Sequence, residues 1–238
     1  MKQLTMALIA ITLIAGLSSC HKEVIGDGPV MTETRTVQSF TAIELQMNGN
    51  VYYRNEPNWK VEVAAKESLL PILQTNVVDG KLVIRYNNGK TYDNDETIRI
   101  TIAGPGVNSF VTTTSGNINC VTPLNVASVY LRTSGSGNIS MMDIITGNLE
   151  AESKMSGRIT AGQGSAITEN LKTDGSGKID LTGIAAKYAG ARTNGSGDIK
   201  LKVSDKLDAR IDGSGSVYFI GSPAITSHIN GTGNLIHW

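Results

Sequence analysis

Residues 173–181 read Thr-Asp-Gly-Ser-Gly-Lys-Ile-Asp-Leu, and this stretch decides the fold because its pattern recurs along the chain. Each copy ends its glycine corner on a residue equivalent to Gly177, and successive copies lie 18 to 21 residues apart. The seven glycines are Gly116, Gly137, Gly157, Gly177, Gly197, Gly215 and Gly233. A period this constant predicts that each copy is one rung of a repeat protein.

The residues around these glycines alternate between apolar and polar. Two positions after the glycine, every copy has a branched aliphatic residue: Ile118, Ile139, Ile159, Ile179, Ile199, Val217 and Leu235. Such alternation predicts a strand with one buried face on each side of the Gly-Ser-Gly corner. A helical repeat is unfavourable because glycines at this spacing would destabilise the helices. A propeller is unfavourable because each of its blades needs about 40 residues. We therefore predict an all-β fold, a single-stranded right-handed parallel β-helix with coils of about 20 residues.

The corners lead to three further expectations. Glycine supplies positive φ at a sharp turn, and stacked corners leave little room for a Cβ atom. We also expect the serines between the glycines, such as Ser176 and Ser196, to form a ladder of hydroxyl groups that bond one another or the corner backbone.

The region from residue 32 to 110 lacks the regular repeat but is strand-rich. Turns at Asn48-Gly49-Asn50 and at Asp79-Gly80 predict strand pairs. An open β-helix end exposes unpaired backbone, so we expect this irregular part to cover the N-terminal end. At the other end, we expect either that His237 and Trp238 plug the last rung or that another molecule packs against it.

The first residues indicate export. Lys2 precedes an uncharged, mostly apolar run over residues 4–17, which is too short to span a bilayer and is typical of a signal peptide. The ending Leu17-Ser18-Ser19-Cys20 resembles the bacterial lipoprotein box, which implies cleavage before Cys20 and its acylation. This divides the chain into a signal peptide (1–19), a tether (20–31) and a β-helix domain (32–238). His21 directly follows Cys20 and is not the aspartate that resembles an inner-membrane retention signal, so an outer-membrane anchor is favoured. Whether the domain faces the periplasm or the cell surface stays open.

Several segments together resemble the head GIN domain family of auto-transporter adhesins. They are Phe40-Thr41-Ala42-Ile43, Asn48-Gly49-Asn50-Val51, Gly80-Lys81-Leu82-Val83-Ile84, the repeated Gly-Ser-Gly-x-Ile, residues 218–223 and Gly231-Thr232-Gly233. The resemblance covers roughly residues 35–237. It implies a right-handed β-helix on an envelope-anchored lipoprotein, and the family offers no catalytic motif to transfer.

Composition and motifs exclude several kinds of function. Lys and Arg number 21 against 21 Asp and Glu, so the formal charge is zero and we expect no nucleic-acid partner. The histidines His21, His228 and His237 are scattered, and the Asp-Gly-Ser-Gly copies lack calcium-repeat spacing, so we expect no metal and no cofactor. Seven equivalent serine or threonine corners without a neighbouring histidine indicate a scaffold, so we expect no catalytic residue. Cys120 is expected to be a small buried side chain.

The preferred functional interpretation is a non-enzymatic, membrane-tethered adhesin or ligand-binding scaffold for a surface glycan or protein. Its most patterned exposed surface is a basic column that could meet an acidic partner: Arg132, Lys172, Arg192 and Arg210, interrupted by Glu152. One alternative is a structural envelope protein that self-associates end to end through its C-terminal end. Another is a polysaccharide-active β-helix enzyme, for which Asp174 and Asp212, about 10 Å apart, fit in spacing alone.

Overall fold

The computed structural model describes residues 26–87 and 98–238, which form a parallel β-helix of about six turns preceded by an irregular sheet. The predicted signal peptide (1–19) and Cys20 lie outside the described residues. The irregular part contains β1 (Val30–Arg35), β2 (Ala42–Leu45), β3 (Asn50–Asn55), β4 (Lys60–Lys66), β5 (Leu73–Val78), β6 (Lys81–Tyr86) and β7 (Arg99–Gly104). A short 3-10 turn, Glu67–Leu69, follows β4. The fold predicted from the repeat is confirmed.

The repeat supplies the remaining strands: β8 (Ser109–Thr112), β9 (Asn117–Cys120), β10 (Leu124–Thr133), β11 (Ile139–Ser153), β12 (Arg158–Thr173), β13 (Lys178–Thr193), β14 (Ile199–Ile211), β15 (Val217–Ile220), β16 (Ala224–Ile229) and β17 (Leu235–His237). The longest strands bend around the coil. Thus β14 pairs with β15 through its first residues and with β16 through its last ones.

Equivalent residues of successive rungs stand directly above one another. Ile159 pairs in parallel with both Ile139 and Ile179, and Ile179 pairs with Ile199. All four side chains are completely buried. The apolar column predicted two residues after the corner glycine is therefore an interior stack, and its residues form the core of the β-helix.

Antiparallel strands cover the N-terminal end of the stack, as expected. Strand β4 pairs antiparallel with β1 and β7, while β5 and β6 form an antiparallel pair. The backbone N–H groups of Glu67 and Ser68 donate to the carbonyl oxygens of Pro29 and Asp27, at 3.0 and 3.2 Å. Since β1 begins at Val30, residues 27–31 of the predicted tether belong to the folded part, which differs from the predicted boundary at residue 32.

The corner glycines are required by stacking and not by a positive φ, so the first expectation about the corners is wrong. None of the seven corner glycines is among the positive-φ glycines of the described chain. A Cβ atom added at Gly197 would lie 2.0 Å from the carbonyl oxygen of Gly177. The close approach of successive corners excludes a side chain, which confirms the expectation that stacked corners leave little room for a Cβ atom.

The predicted serine ladder is also wrong. Ser176 and Ser196 are exposed, and no hydrogen bond of their hydroxyl groups is seen in residues 26–87 and 98–238. Five hydroxyl groups that lie four residues before a corner glycine form a buried series instead. Thr173 donates to the carbonyl oxygen of Gly197 in the next rung, at 3.3 Å, and the other four each donate to the carbonyl oxygen of their own corner glycine. The pairs are Thr112 with Gly116 (2.7 Å), Thr133 with Gly137 (2.7 Å), Ser153 with Gly157 (2.9 Å) and Thr193 with Gly197 (3.0 Å).

The C-terminal end of the stack remains open. Ile225 and Ile229 of β16 continue the interior columns of Leu207 and Ile211, yet each is 47% exposed. The ring of His237 packs on Phe219, whereas Trp238 is 63% exposed and lies beside Lys200. The two final residues therefore do not cover Ile225 and Ile229.

Candidate ligand-binding face

On one side of the β-helix lie the strand segments that precede the Gly-Ser-Gly corners, and five of these segments lie between β8 and β16. They are residues 128–134, 148–154, 168–174, 188–194 and 206–212, and we call this side the pre-corner face. Because side chains alternate along a strand, Leu171 and Thr173 point into the core while Lys172 points outward. The parallel register then aligns outward residues of the five rungs into columns.

The structure brings the predicted basic column together on this face. Arg132 pairs in register with Glu152, Glu152 with Lys172, Lys172 with Arg192, and Arg192 with Arg210. The column thus runs across five rungs, and Glu152 interrupts it as the sequence indicates. Neighbouring residues of a column are about 4.8 Å apart.

The cations of this column are largely neutralised by carboxylates beside them. Arg132 lies 3.5 Å from Glu152, and Lys172 lies 2.7 Å from Asp174. Arg210 and Arg192 share Asp212, at 2.7 and 3.4 Å. The column is therefore a set of ion pairs and not a strip of free positive charge.

These pairs also set the protonation of the two aspartates. The hydrogen bond from Arg210 lowers the pKa of Asp212 and outweighs the opposing effect of burial. Burial alone would raise the pKa of Asp174. Hydrogen bonds from Lys172 and Asn194 and nearby positive charges together have a larger, opposite effect, so the pKa is lowered. A general acid in a glycosidase needs a raised pKa, so neither carboxyl has the property that the enzyme alternative requires.

A depression of about 590 Å³ lies beside the basic column, on four successive rungs. Gly190 lines it, stands in register between Asn170 and Asp208, and has no side chain to fill the space. Tyr188, two residues before Gly190 on the same strand, is 46% exposed. Of the predicted binding residues, Lys172, Arg192 and Arg210 line the depression and Arg132 does not.

Several polar groups at this depression have no partner. Within the described chain, the side chains of Asn170, Asp208, Glu150 and Lys206 make no hydrogen bond and no ion pair. A polar group that is exposed and unpaired is free to bond a ligand without first breaking a protein contact. These residues are not predicted from the sequence, although Gly190 is the one glycine in the column Tyr130, Glu150, Asn170, Gly190 and Asp208.

Beneath this face lies an ionisable group that is also not predicted from the sequence. Glu169 is completely buried, stacked between Leu149 and Ala189, and neither of its carboxylate oxygens has a hydrogen-bond partner. Burial raises its pKa to about 8. The signal was a charged residue in a column that is otherwise Val129, Leu149, Ala189 and Leu207.

The rest of the described chain adds little chemistry. Cys120 is buried as expected, and burial raises the pKa of its thiol to about 11. Among residues 26–87 and 98–238, no three His, Cys, Asp or Glu side chains are grouped so as to hold a metal ion. No helix in the same part of the chain is long and apolar enough to cross a membrane.

Solved structures of three bacterial proteins have the same fold. A "putative adhesin" from Bacteroides fragilis NCTC 9343 superposes with a TM-score of 0.83 at 23% identity, covering 90% of this chain and 99% of that one. A "putative adhesin" from Parabacteroides distasonis ATCC 8503 gives 0.74 at 20% identity, with the same coverage. A "putative lipid binding protein" from the same strain gives 0.74 at 24% identity, again covering 90% and 99%.

The sequence itself also identifies relatives at the level of a family. None of the curated proteins matches the chain. The family described as "Putative auto-transporter adhesin, head GIN domain" matches residues 39–223, which include the irregular sheet from β2 onward and the repeat up to the last corner but one. The chain therefore belongs to the head GIN domain family.

Proposed function

We propose that this protein is a non-enzymatic, adhesin-like lipoprotein that is anchored in the outer membrane through Cys20 and binds its ligand on the pre-corner face. The observation that carries the proposal is the depression at Gly190. An exposed aromatic ring, unpaired polar groups and a cavity of about 590 Å³ lie together on a rigid stack of strands. Ligand sites combine these features. Membership of a family described as adhesins supports the same role.

The predicted basic residues take part at the rim of the site in this proposal. Lys172, Arg192 and Arg210 line the depression, and each holds a carboxylate of the protein. A ligand that approaches this rim meets positioned ion pairs, which supply donors in fixed directions. Arg132 lies outside the depression and contributes only to the charge of the column.

Anchoring and orientation are tested in cells that express the full chain. We expect radiolabelled palmitate to be incorporated into the wild type and not into Cys20→Ala, which should be released from the membrane fraction. An external protease should degrade the wild-type domain on intact cells. If the domain is degraded only after the outer membrane is permeabilised, a role in adhesion to external surfaces is refuted.

The binding role is tested by adhesion of the same cells to arrays of glycans and matrix proteins. We expect wild-type cells to adhere to at least one surface, and cells with the paired substitution Arg192→Ala and Arg210→Ala to adhere less. Cells with Arg54→Ala and Lys60→Ala, which remove two exposed cations from the irregular part, serve as the matched control. Equal behaviour of wild-type cells and cells without the protein on every surface would contradict the proposal.

The open C-terminal end favours a second candidate, end-to-end self-association. Strand β16 leaves Ile225 and Ile229 exposed where the interior columns continue, and an edge strand is a template for pairing with another chain. Measuring the mass of the full chain in detergent over a range of concentrations tests this. We expect a dimer that is lost in Ile225→Asp and in a chain lacking Trp238, and a strict monomer at high concentration would exclude it.

A further inference from the structure

We infer that the depression at Gly190 is a saccharide site and that it takes neutral hexopyranose units. This inference rests on the proposed function as a ligand-binding scaffold and names the chemical class of its ligand. Nothing in the family description assigns a ligand to this face.

The space at Gly190 is not a by-product of tight stacking. A Cβ atom added there would meet only Asn170 Oδ1 at 3.2 Å and the carbonyl oxygen of Glu169 at 4.0 Å. At the corner glycine Gly197, by contrast, an added Cβ would lie 2.0 Å from a backbone carbonyl oxygen. The strand could thus hold a side chain at residue 190, and its lack leaves a notch open to solvent.

The groups around the notch match the two kinds of surface that a hexopyranose presents. A sugar ring has an apolar C–H face and an edge of hydroxyl groups that both donate and accept hydrogen bonds. The exposed ring of Tyr188 offers a flat apolar surface beside the notch. The Asp208 carboxylate accepts hydrogen bonds and the Asn170 amide both donates and accepts them, on opposite sides of Gly190.

The charges at the site favour a neutral sugar over an acidic polymer. The cations of the basic column at the depression are each held by Asp174 or Asp212. Among the unpaired side chains that line the depression, Glu150 and Asp208 supply two negative charges and Lys206 one positive charge. An anionic ligand would therefore have to compete with internal carboxylates for its cations while facing two free carboxylates.

The size of the site agrees with one or two sugar units. Its volume of about 590 Å³ falls within the range of roughly 300–1,000 Å³ that is usual for small-molecule sites. The three rungs that carry Asn170, Gly190 and Asp208 span about 10 Å, at about 4.8 Å per rung. Glu150, on a fourth rung that also lines the depression, extends the site by one further step of about 4.8 Å.

The test measures binding of the purified full chain, in detergent, to an array of immobilised oligosaccharides and peptides. The probes are neutral oligosaccharides of glucose, galactose, mannose and N-acetylglucosamine, then uronate-containing and sulfated oligosaccharides, and then peptides of mixed sequence. The variants are Tyr188→Ala, Asp208→Asn and Gly190→Val. The matched controls are Tyr218→Ala, Asp143→Asn and Ala185→Val, which make the same kinds of change elsewhere on the surface. Circular dichroism and the thermal midpoint verify that each variant is folded.

We expect the wild type to bind a neutral oligosaccharide, each site variant to lose at least about tenfold in affinity, and the controls to stay within about twofold. Gly190→Val is the sharpest variant because it fills the notch without removing any bonding group. Binding only to acidic glycans or only to peptides would overturn the inference, as would neutral-sugar binding that the site variants do not alter. The absence of glycan binding by the wild type would overturn it too, while the adhesion of whole cells decides the proposed function separately.

Discussion

Replacing Glu169 should change how the stability of the protein depends on pH. The carboxyl group is completely buried and unpartnered, and burial raises its pKa to about 8 from an ordinary value of 4.5. Between these values the unfolded chain has released a proton that the folded chain still holds. Each pH unit in this window then lowers the free energy of unfolding by about 1.4 kcal/mol. Stability is therefore highest below about pH 4.5 with respect to this group, and falls as the pH rises.

The size of the effect follows from the same two pKa values. From pH 5 to pH 7 the Glu169 carboxyl should lower the free energy of unfolding by about 3 kcal/mol, and above pH 8 the loss should level off near 5 kcal/mol. Glu169→Gln keeps the shape of the side chain but cannot ionise. A buried, unpartnered amide still destabilises the fold by about 1–3 kcal/mol, yet that penalty is the same at every pH. Only the slope against pH reports the carboxyl group.

The assay is urea unfolding of the full chain in detergent, followed by circular dichroism at pH 5, 6, 7 and 8. We expect the stability of the wild type relative to Glu169→Gln to fall steadily across this series. Glu150→Gln, which changes an exposed and unpaired carboxyl on the adjacent rung, should run parallel to the wild type. Glu169→Met should be more stable than the wild type at pH 7 because it removes the buried polar group. Parallel profiles for wild type and Glu169→Gln would refute the reasoning, since they would mean that the carboxylate is solvated or paired in the folded state.

Further predictions concern the corners. Gly197→Ala should lower the free energy of unfolding by at least about 3 kcal/mol because its Cβ atom would lie 2.0 Å from the carbonyl oxygen of Gly177. Gly190→Ala should change it by less than about 1 kcal/mol because its Cβ would closely approach only the end of the Asn170 side chain, at 3.2 Å, which can shift. Urea unfolding compares the two, and equal losses would contradict the stacking argument. Thr133→Val should lower stability by about 1–2 kcal/mol because the Gly137 carbonyl oxygen loses its 2.7 Å hydrogen bond. Thr133→Ser should retain most of this stability, and a neutral Thr133→Val would show that the buried hydroxyl series does not stabilise the corners.

The repeating part of the fold could be predicted because each of its columns is sampled several times. Seven glycines at a nearly constant spacing fixed the register, and the aliphatic residue two positions later identified the interior face. The basic column followed from the same alignment, and the structure places Arg132, Lys172, Arg192 and Arg210 in it. In the irregular part, hairpin turns were predictable, but pairing such as β4 with β1 and β7 was not, because it joins segments that share no repeat.

The features that prediction missed are those where a single rung departs from its column. Glu169 is one charged residue in an apolar column, and Gly190 is one glycine in a polar column. The regular pattern that identified the fold also concealed these exceptions, because an average over rungs removes them. The serine ladder failed for a different reason. Alternation with the outward basic residues already places the threonine four residues before the corner on the inner face, but only the structure shows that its hydroxyl group donates to the carbonyl oxygen of the corner glycine. Pairing of Asp212 with both Arg192 and Arg210 likewise depends on distances that a sequence does not contain.

The parallel register places successive rungs at a constant spacing along the axis of the β-helix. The N-terminal end is closed by antiparallel strands, so each further rung adds about 4.8 Å in one direction only. The notch at Gly190 is built from three rungs, and it keeps its shape wherever that block stands in the stack. Inserting or deleting one coil of about 20 residues between the irregular sheet and this block would move the site along the axis by a fixed step. In this architecture the reach of a binding site and its chemistry can therefore change independently of each other.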